Sequence, residues 1–260
     1  MTVLFAVLDD LLRFAMNSIF GSVLLHDRRS LIDESTKPLQ PLLPLLSSAA
    51  RQPLAVELVS AHGSYFVSVS KTAVRIDPVA SFDNVLTSLT YGFQITVLKY
   101  GGRWAMIQTR DLSGWVLKDD ISSSADEVFP NFTVGSVYDA NNETTLKVRL
   151  YINDEFECTE PGLPLTSAEY VTYRLSRAGR SVNWSHRRPR MPGQWQSLLR
   201  GRADIHIGVT PKTASVMECI DEDHGNLLYV EAVFPDGSIQ ISSVDYEGVG
   251  VYTESVLDKE

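Results

Sequence analysis

Cysteine is almost absent from this sequence: Cys158 and Cys219 are the only two in 260 residues. That excludes a disulfide-built scaffold and any CxxC-type metal motif. The five histidines are scattered and show no paired ligand spacing, so neither a metal nor a cofactor is expected. Positive charge is also scarce, with 23 Lys and Arg against 32 Asp and Glu and a net charge of −9. Nucleic-acid affinity depends on clustered cations, so nucleic acid is not an expected partner. No run of about 20 apolar residues occurs, which predicts no transmembrane helix. The first residues carry no positive n-region, and Asp9, Asp10 and Arg13 interrupt the apolar run, unlike a secretory signal.

What remains is a globular composition. At 44% hydrophobic content the chain can bury a real core and is expected to hold two compact units. Residues 3–25 mix Leu, Val, Phe, Ile and Met with polar residues at intervals. This suits an amphipathic helix docked on the protein, or a peripheral contact with a membrane surface. Pro38, Pro41 and Pro44 then break the pattern, and residues 1–53 read as a helical segment with a linker. From Leu54 the texture changes to short β-branched runs at 65–69, 73–76, 94–98 and 104–107. Tyr100-Gly101-Gly102-Arg103 between the last two runs reads as a hairpin turn. A small antiparallel barrel over 54–125 follows, closed by the polar linker Ser122–Glu127.

The alternating segments 132–134 and 146–150, with Asn141-Asn142 as a turn between them, read as strands at the start of a second unit, 126–260. In that unit Thr166-x-x-Glu169 is a capping box, which satisfies two orphan amides and starts a helix at Ser167. His206 and Cys219 sit in strand-like apolar runs and are read as structural. The basic run 186–190 is read as a solvated loop, and the N-x-S/T triplets at Asn131, Asn142 and Asn183 as chance.

Two family resemblances attach to these residues. Val74-Arg75, Pro78, Leu89, Gly92, Ile95, Val97, Trp104 and Gly114-Trp115-Val116 resemble, in order and spacing, the bacterial Src homology 3-like barrel. The helix at Ser167, Trp195 near Pro192-Gly193, Tyr229-Val230-Glu231 and Gly237-Ser238-Ile239 resemble a CHAP domain. This is a cysteine, histidine-dependent amidohydrolase/peptidase, papain-like and related to the NlpC proteins.

The resemblances imply an α+β fold: an amino-terminal helix, a small all-β barrel, and a papain-like α+β domain with an antiparallel sheet. They also imply a peptidoglycan or peptide ligand and association with the cell envelope, whereas the missing signal segment is compatible with the cytoplasm. Aromatic ligand contacts are expected from Trp104, Trp115, Tyr170 and Trp195.

The family's functional positions are altered. The cysteine position reads Ser167, the histidine position Asn226, and the orienting positions Ser243 and Asp245. Serine needs an adjacent base to become nucleophilic, and an asparagine amide cannot accept and return a proton at neutral pH. The expectation is therefore a non-catalytic binding or scaffold protein. Two alternatives stand beside it: an active peptidoglycan amidase or endopeptidase using Cys158 or Ser167 as nucleophile, with His224 as a candidate base, and an intracellular interaction adaptor.

Overall fold

A computed structural model describes residues 2–8, 58–152, 162–182, 184, 192–220 and 225–258. All of them belong to one compact unit. The chain is a mixture of helices and two antiparallel sheets, an α+β architecture.

The first strand, β1 (Thr2–Leu8), belongs to the second sheet. The β region starts with β2 (Leu58–Val67), β3 (Lys71–Arg75) and β4 (Val85–Thr90). It continues with β5 (Gln94–Gly101), β6 (Trp104–Gln108), β7 (Ser113–Leu117) and β8 (Ile121–Ser122). The sheet order is β4-β3-β7-β6-β5-β2-β8. The expected hairpin between β5 and β6 is present, with Gly102 at φ +58° supplying the left-handed residue that a tight turn needs. Val67, Val74, Val97, Ala105, Ile107 and Val116, each with no exposed surface, form the apolar core.

The α+β region follows: α1 (Ala125–Val128), α2 (Glu143–Ile152), α3 (Ser167–Arg177) and α4 (Trp195–Leu199). Its strands are β9 (Ile205–Gly208), β10 (Val216–Ile220), β11 (Gly225–Val233), β12 (Ile239–Val244) and β13 (Tyr252–Leu257). They form a sheet in the order β13-β12-β11-β10-β1-β9 with every neighbouring pair antiparallel. Helix α3 packs on β11 and β12, and α2 packs on α3. Tyr170, Val171, Leu175, Leu227, Tyr229 and Val244 lie in this layer's core, while Leu228, Val230, Ile239 and Ile241 belong to a separate cluster. The alternation along β11 is the two-residue period of a strand buried on both faces.

Two local expectations need correction. The helix expected over 3–25 gives way at its start to β1, whose uncharged Thr-Val-Leu-Phe-Ala-Val-Leu run fits a strand between two neighbours. Residues 9–57, the remainder of that segment, lie outside the described residues. Of the two strands expected at the start of the second unit, none forms at 132–134, and 146–150 is part of α2. There Thr145, Val148 and Ile152 are fully buried at helical spacing, and Asn142 Oδ1 accepts the Thr144 amide at 2.8 Å. Both runs satisfy the strand and helix periods over so few residues that tertiary packing decides.

The β and α+β regions are packed together. The Tyr91 hydroxyl donates to the Val128 carbonyl at 2.5 Å, and Phe129 meets Phe66 and Tyr151 edge-on at 5.0 and 5.8 Å. Gly92, at φ +77°, lets the backbone approach α2: a Cβ there would fall 2.5 Å from the Tyr151 ring.

Candidate functional site

The first residue of α3 is Ser167, fixed there by its predecessor. Thr166 accepts the Glu169 amide at 3.3 Å and Glu169 accepts the Thr166 amide at 3.0 Å, so the capping box read from the sequence is formed. Glu169 has no exposed side-chain surface and is paired with Arg149 of α2 through contacts of 2.9 and 3.2 Å. Arg149 also donates to the carbonyls of Leu163 and Pro164, which ties the approach to the helix to α2.

Three of the four positions singled out in the sequence meet at this helix start. Asp245, just after β12, accepts the Ser167 amide on Oδ2 at 3.2 Å and the Gly250 amide on Oδ1. Asn226, near the start of β11, donates its side-chain amide to the Asp245 carbonyl at 3.4 Å. Ser243 stands apart from the cluster: it is 1% exposed and its hydroxyl faces the carbonyls of Leu227 and Val244.

Asp245 is held at φ +73°, a conformation rare outside glycine, so the surrounding structure overrides its backbone preference. Its carboxylate lies at the positive end of an eleven-residue helix, which favours an anion. Burial nevertheless pushes its pKa above the ordinary aspartate value, against the lowering effect of the two amides.

The entrance is closely packed on one side. Gly225 precedes Asn226, and a Cβ there would fall 2.7 Å from the backbone of Pro192 and Gly193. Ser167 itself is 2% exposed.

Among the described residues, no side chain accepts a hydrogen bond from the Ser167 hydroxyl, and the histidines are His62 and His206, both exposed. His206 is on β9, three strand positions from β11, or about 14 Å at the usual strand spacing. Cys158, His224 and the basic run 186–190 lie outside the described residues. No group of three or more metal-ligating side chains occurs among the described residues. The cluster of serine, desolvated aspartate and asparagine holds the helix start to the sheet, with the Asp245 carboxylate turned to backbone amides.

A second polar network lies farther along the same helix and was not legible in the sequence. Arg174 forms a two-pronged ion pair with Glu231 of β11, one contact at 2.7 Å. Its guanidinium stacks 4.5 Å from the Tyr229 ring centre. The Tyr170 hydroxyl donates to Ser242 at 2.7 Å, and Ser242 donates to Glu231 at 2.5 Å. Ser167, Tyr170 and Arg174 recur at helical spacing, so one face of α3 carries both networks.

The aromatic positions fare unevenly. Trp104, Tyr170 and Trp195 are core residues at 8%, 0% and 3% exposure, and Trp195 meets Trp184 edge-on at 5.1 Å. Trp115 on β7 is half-buried and reaches the surface, where Lys99 lies 5.8 Å from its ring. Beside α4, Glu218 is buried and accepts the amides of Trp195 and Gln196 at 2.9 and 2.8 Å.

The chain matches no protein-family model, no curated protein and no solved structure.

Proposed function

We propose that the protein is a non-catalytic binding or scaffold protein, made of a bacterial Src homology 3-like barrel (54–125) and a degenerate CHAP-like domain (126–260). By resemblance its ligand is peptidoglycan or a peptide derived from it. The observation that carries this reading is the Ser167–Asp245–Asn226 cluster. The residues at the family's nucleophile, base and orienting positions are bonded to backbone groups or to each other, and Ser167 is buried.

Acyl transfer needs a nucleophile whose proton is taken by a base within hydrogen-bond reach. Here the carboxylate that reaches Ser167 accepts backbone amides instead. Loss of both the thiol and the imidazole removes most of a triad's contribution. A helix N-terminus that once favoured a thiolate is served by an internal carboxylate.

In the barrel Trp115 reaches the surface with the Lys99 cation over its ring, and it is the first contact to test. Co-sedimentation with purified peptidoglycan is the direct experiment. The full chain pellets with the polymer, and Trp115→Ala leaves a larger fraction in the supernatant. A chain that stays entirely in the supernatant at low ionic strength contradicts peptidoglycan binding and moves the ligand to a soluble protein or peptide.

A further inference from the structure

The hairpin of β3 and β4 ends the sheet of the β region, and β4 is an edge strand whose outer side pairs with no other described strand. Its sequence, Val85-Leu86-Thr87-Ser88-Leu89-Thr90, contains no charge and no proline. Natural edge strands are usually blunted by lysine, proline or an inward charge, because open N–H and C=O groups invite another strand. β4 has none of these, although a bulge opposite Val74 and Arg75 twists its beginning.

The loop leading into β4 is braced by hydrogen bonds and presents apolar side chains to solvent. The Arg75 guanidinium donates to the Ser81 carbonyl and to Asn84 Oδ1 (3.0 Å), and Asn84 donates to the carbonyls of Asp77 and Val79 at 3.2 and 2.9 Å. On this frame Phe82 is 98% exposed, with Ile76, Val79 and Leu86 about half exposed around it. A loop braced in this way loses little conformational entropy on binding.

We infer that this edge is a self-association surface, on which the β4 strands of two copies pair antiparallel about a two-fold axis through Ser88 and join their sheets. Three features favour a second copy over another partner. First, an uncharged strand meets itself without like-charge repulsion. Second, a two-fold pairing puts the exposed Phe82 end of one copy beside the other copy's Thr90 end, where Phe93 is exposed at 43%. Third, the charges are complementary: exposed Asp83 lies at the loop end, and exposed Lys71 pairs across from Thr90 at the opposite end. The antiparallel arrangement brings Asp83 of each copy toward Lys71 of the other, twice by symmetry.

Sedimentation of the full chain over a concentration series tests this. Wild type forms a dimer, and Phe82→Asp, a change at a fully solvated position, loses it without altering the melting transition. Lys71→Glu and Asp83→Lys each weaken the dimer, and the two together restore it. Ser88→Cys under mild oxidation gives a covalent dimer that wild type, with its own two cysteines, does not give. A wild type that stays monomeric throughout the series overturns the inference. So does a Phe82→Asp variant that remains dimeric, or a charge exchange that fails to restore association.

Discussion

The two regions of this molecule are stabilised in different ways. The core of the β region, from Val67 to Val116, is apolar apart from Thr72, whose hydroxyl donates to Asp120 at 2.5 Å. The layer between α3 and its sheet buries Glu169, Ser242 and Ser243 alongside Tyr170 and Leu227. An apolar core gains from area removed from water, about 25 cal/mol per Å². A buried polar network contributes little net stability, but becomes costly when any one member is removed. Polar residues placed under a helix therefore report a constraint other than stability, and under the proposed reading they line the positions of a hydrolase's cleft.

The largest test of this contrast is Glu169→Ala. It leaves Arg149 without its buried partner and removes half of the capping box. Breaking such a pair costs roughly 3–5 kcal/mol, measurable by denaturant unfolding. Next comes Ser242→Ala, which deprives Tyr170 and Glu231 of a shared partner. Its cost is about 1–3 kcal/mol. The counterpart in the β region, Ile107→Val, costs about 0.5–1.5 kcal/mol, because only a methylene and its small cavity are involved. If Ser242→Ala were as mild as Ile107→Val, the two regions would not differ in the way described.

A smaller effect separates the regions by pH. Burial raises the folded-state pKa of Asp245. Its protonated form is therefore favoured by folding: that contribution is fully present below the ordinary aspartate pKa and is lost as pH rises through the raised value. Asp245→Asn should flatten this part of the stability profile relative to wild type. In the β region the Tyr91 pKa is pushed up to about 12, first by burial and then by the Glu143 charge. The stabilising contribution of its protonated form is complete below about pH 10 and falls as pH approaches 12. Burial also raises Tyr100, Tyr170, Tyr173, Tyr229 and Tyr252, so alkaline difference spectroscopy should show several tyrosines titrating late, and Tyr91→Phe should lower that late amplitude by one tyrosine.

Local chemistry made part of this legible in advance. The capping box at Thr166 and Glu169, the Gly101-Gly102 turn and the β-branched strands could each be read because their causes lie within a few residues. Short apolar runs could not be assigned in the same way, as β1 and α2 demonstrate, because packing partners distant in the chain choose between strand and helix. The candidate site was legible as residue types and not as geometry. Ser167 and Asp245 are 78 positions apart, and nothing at position 245 announces a positive φ or an aspartate turned toward a helix start. The Arg174–Glu231 pair, 57 positions apart, was hidden for the same reason, although Glu231 closes the Tyr-Val-Glu run that supports the resemblance.

The central claim, that Ser167 and its neighbours carry out no hydrolysis, is tested most directly by incubating the full chain with purified peptidoglycan and following release of amines and peptides. Ser167→Ala and Cys158→Ala are run beside it at matched concentration. The account predicts no release above background from any of the three. Release by wild type that one of these substitutions abolishes would contradict it and would identify the nucleophile.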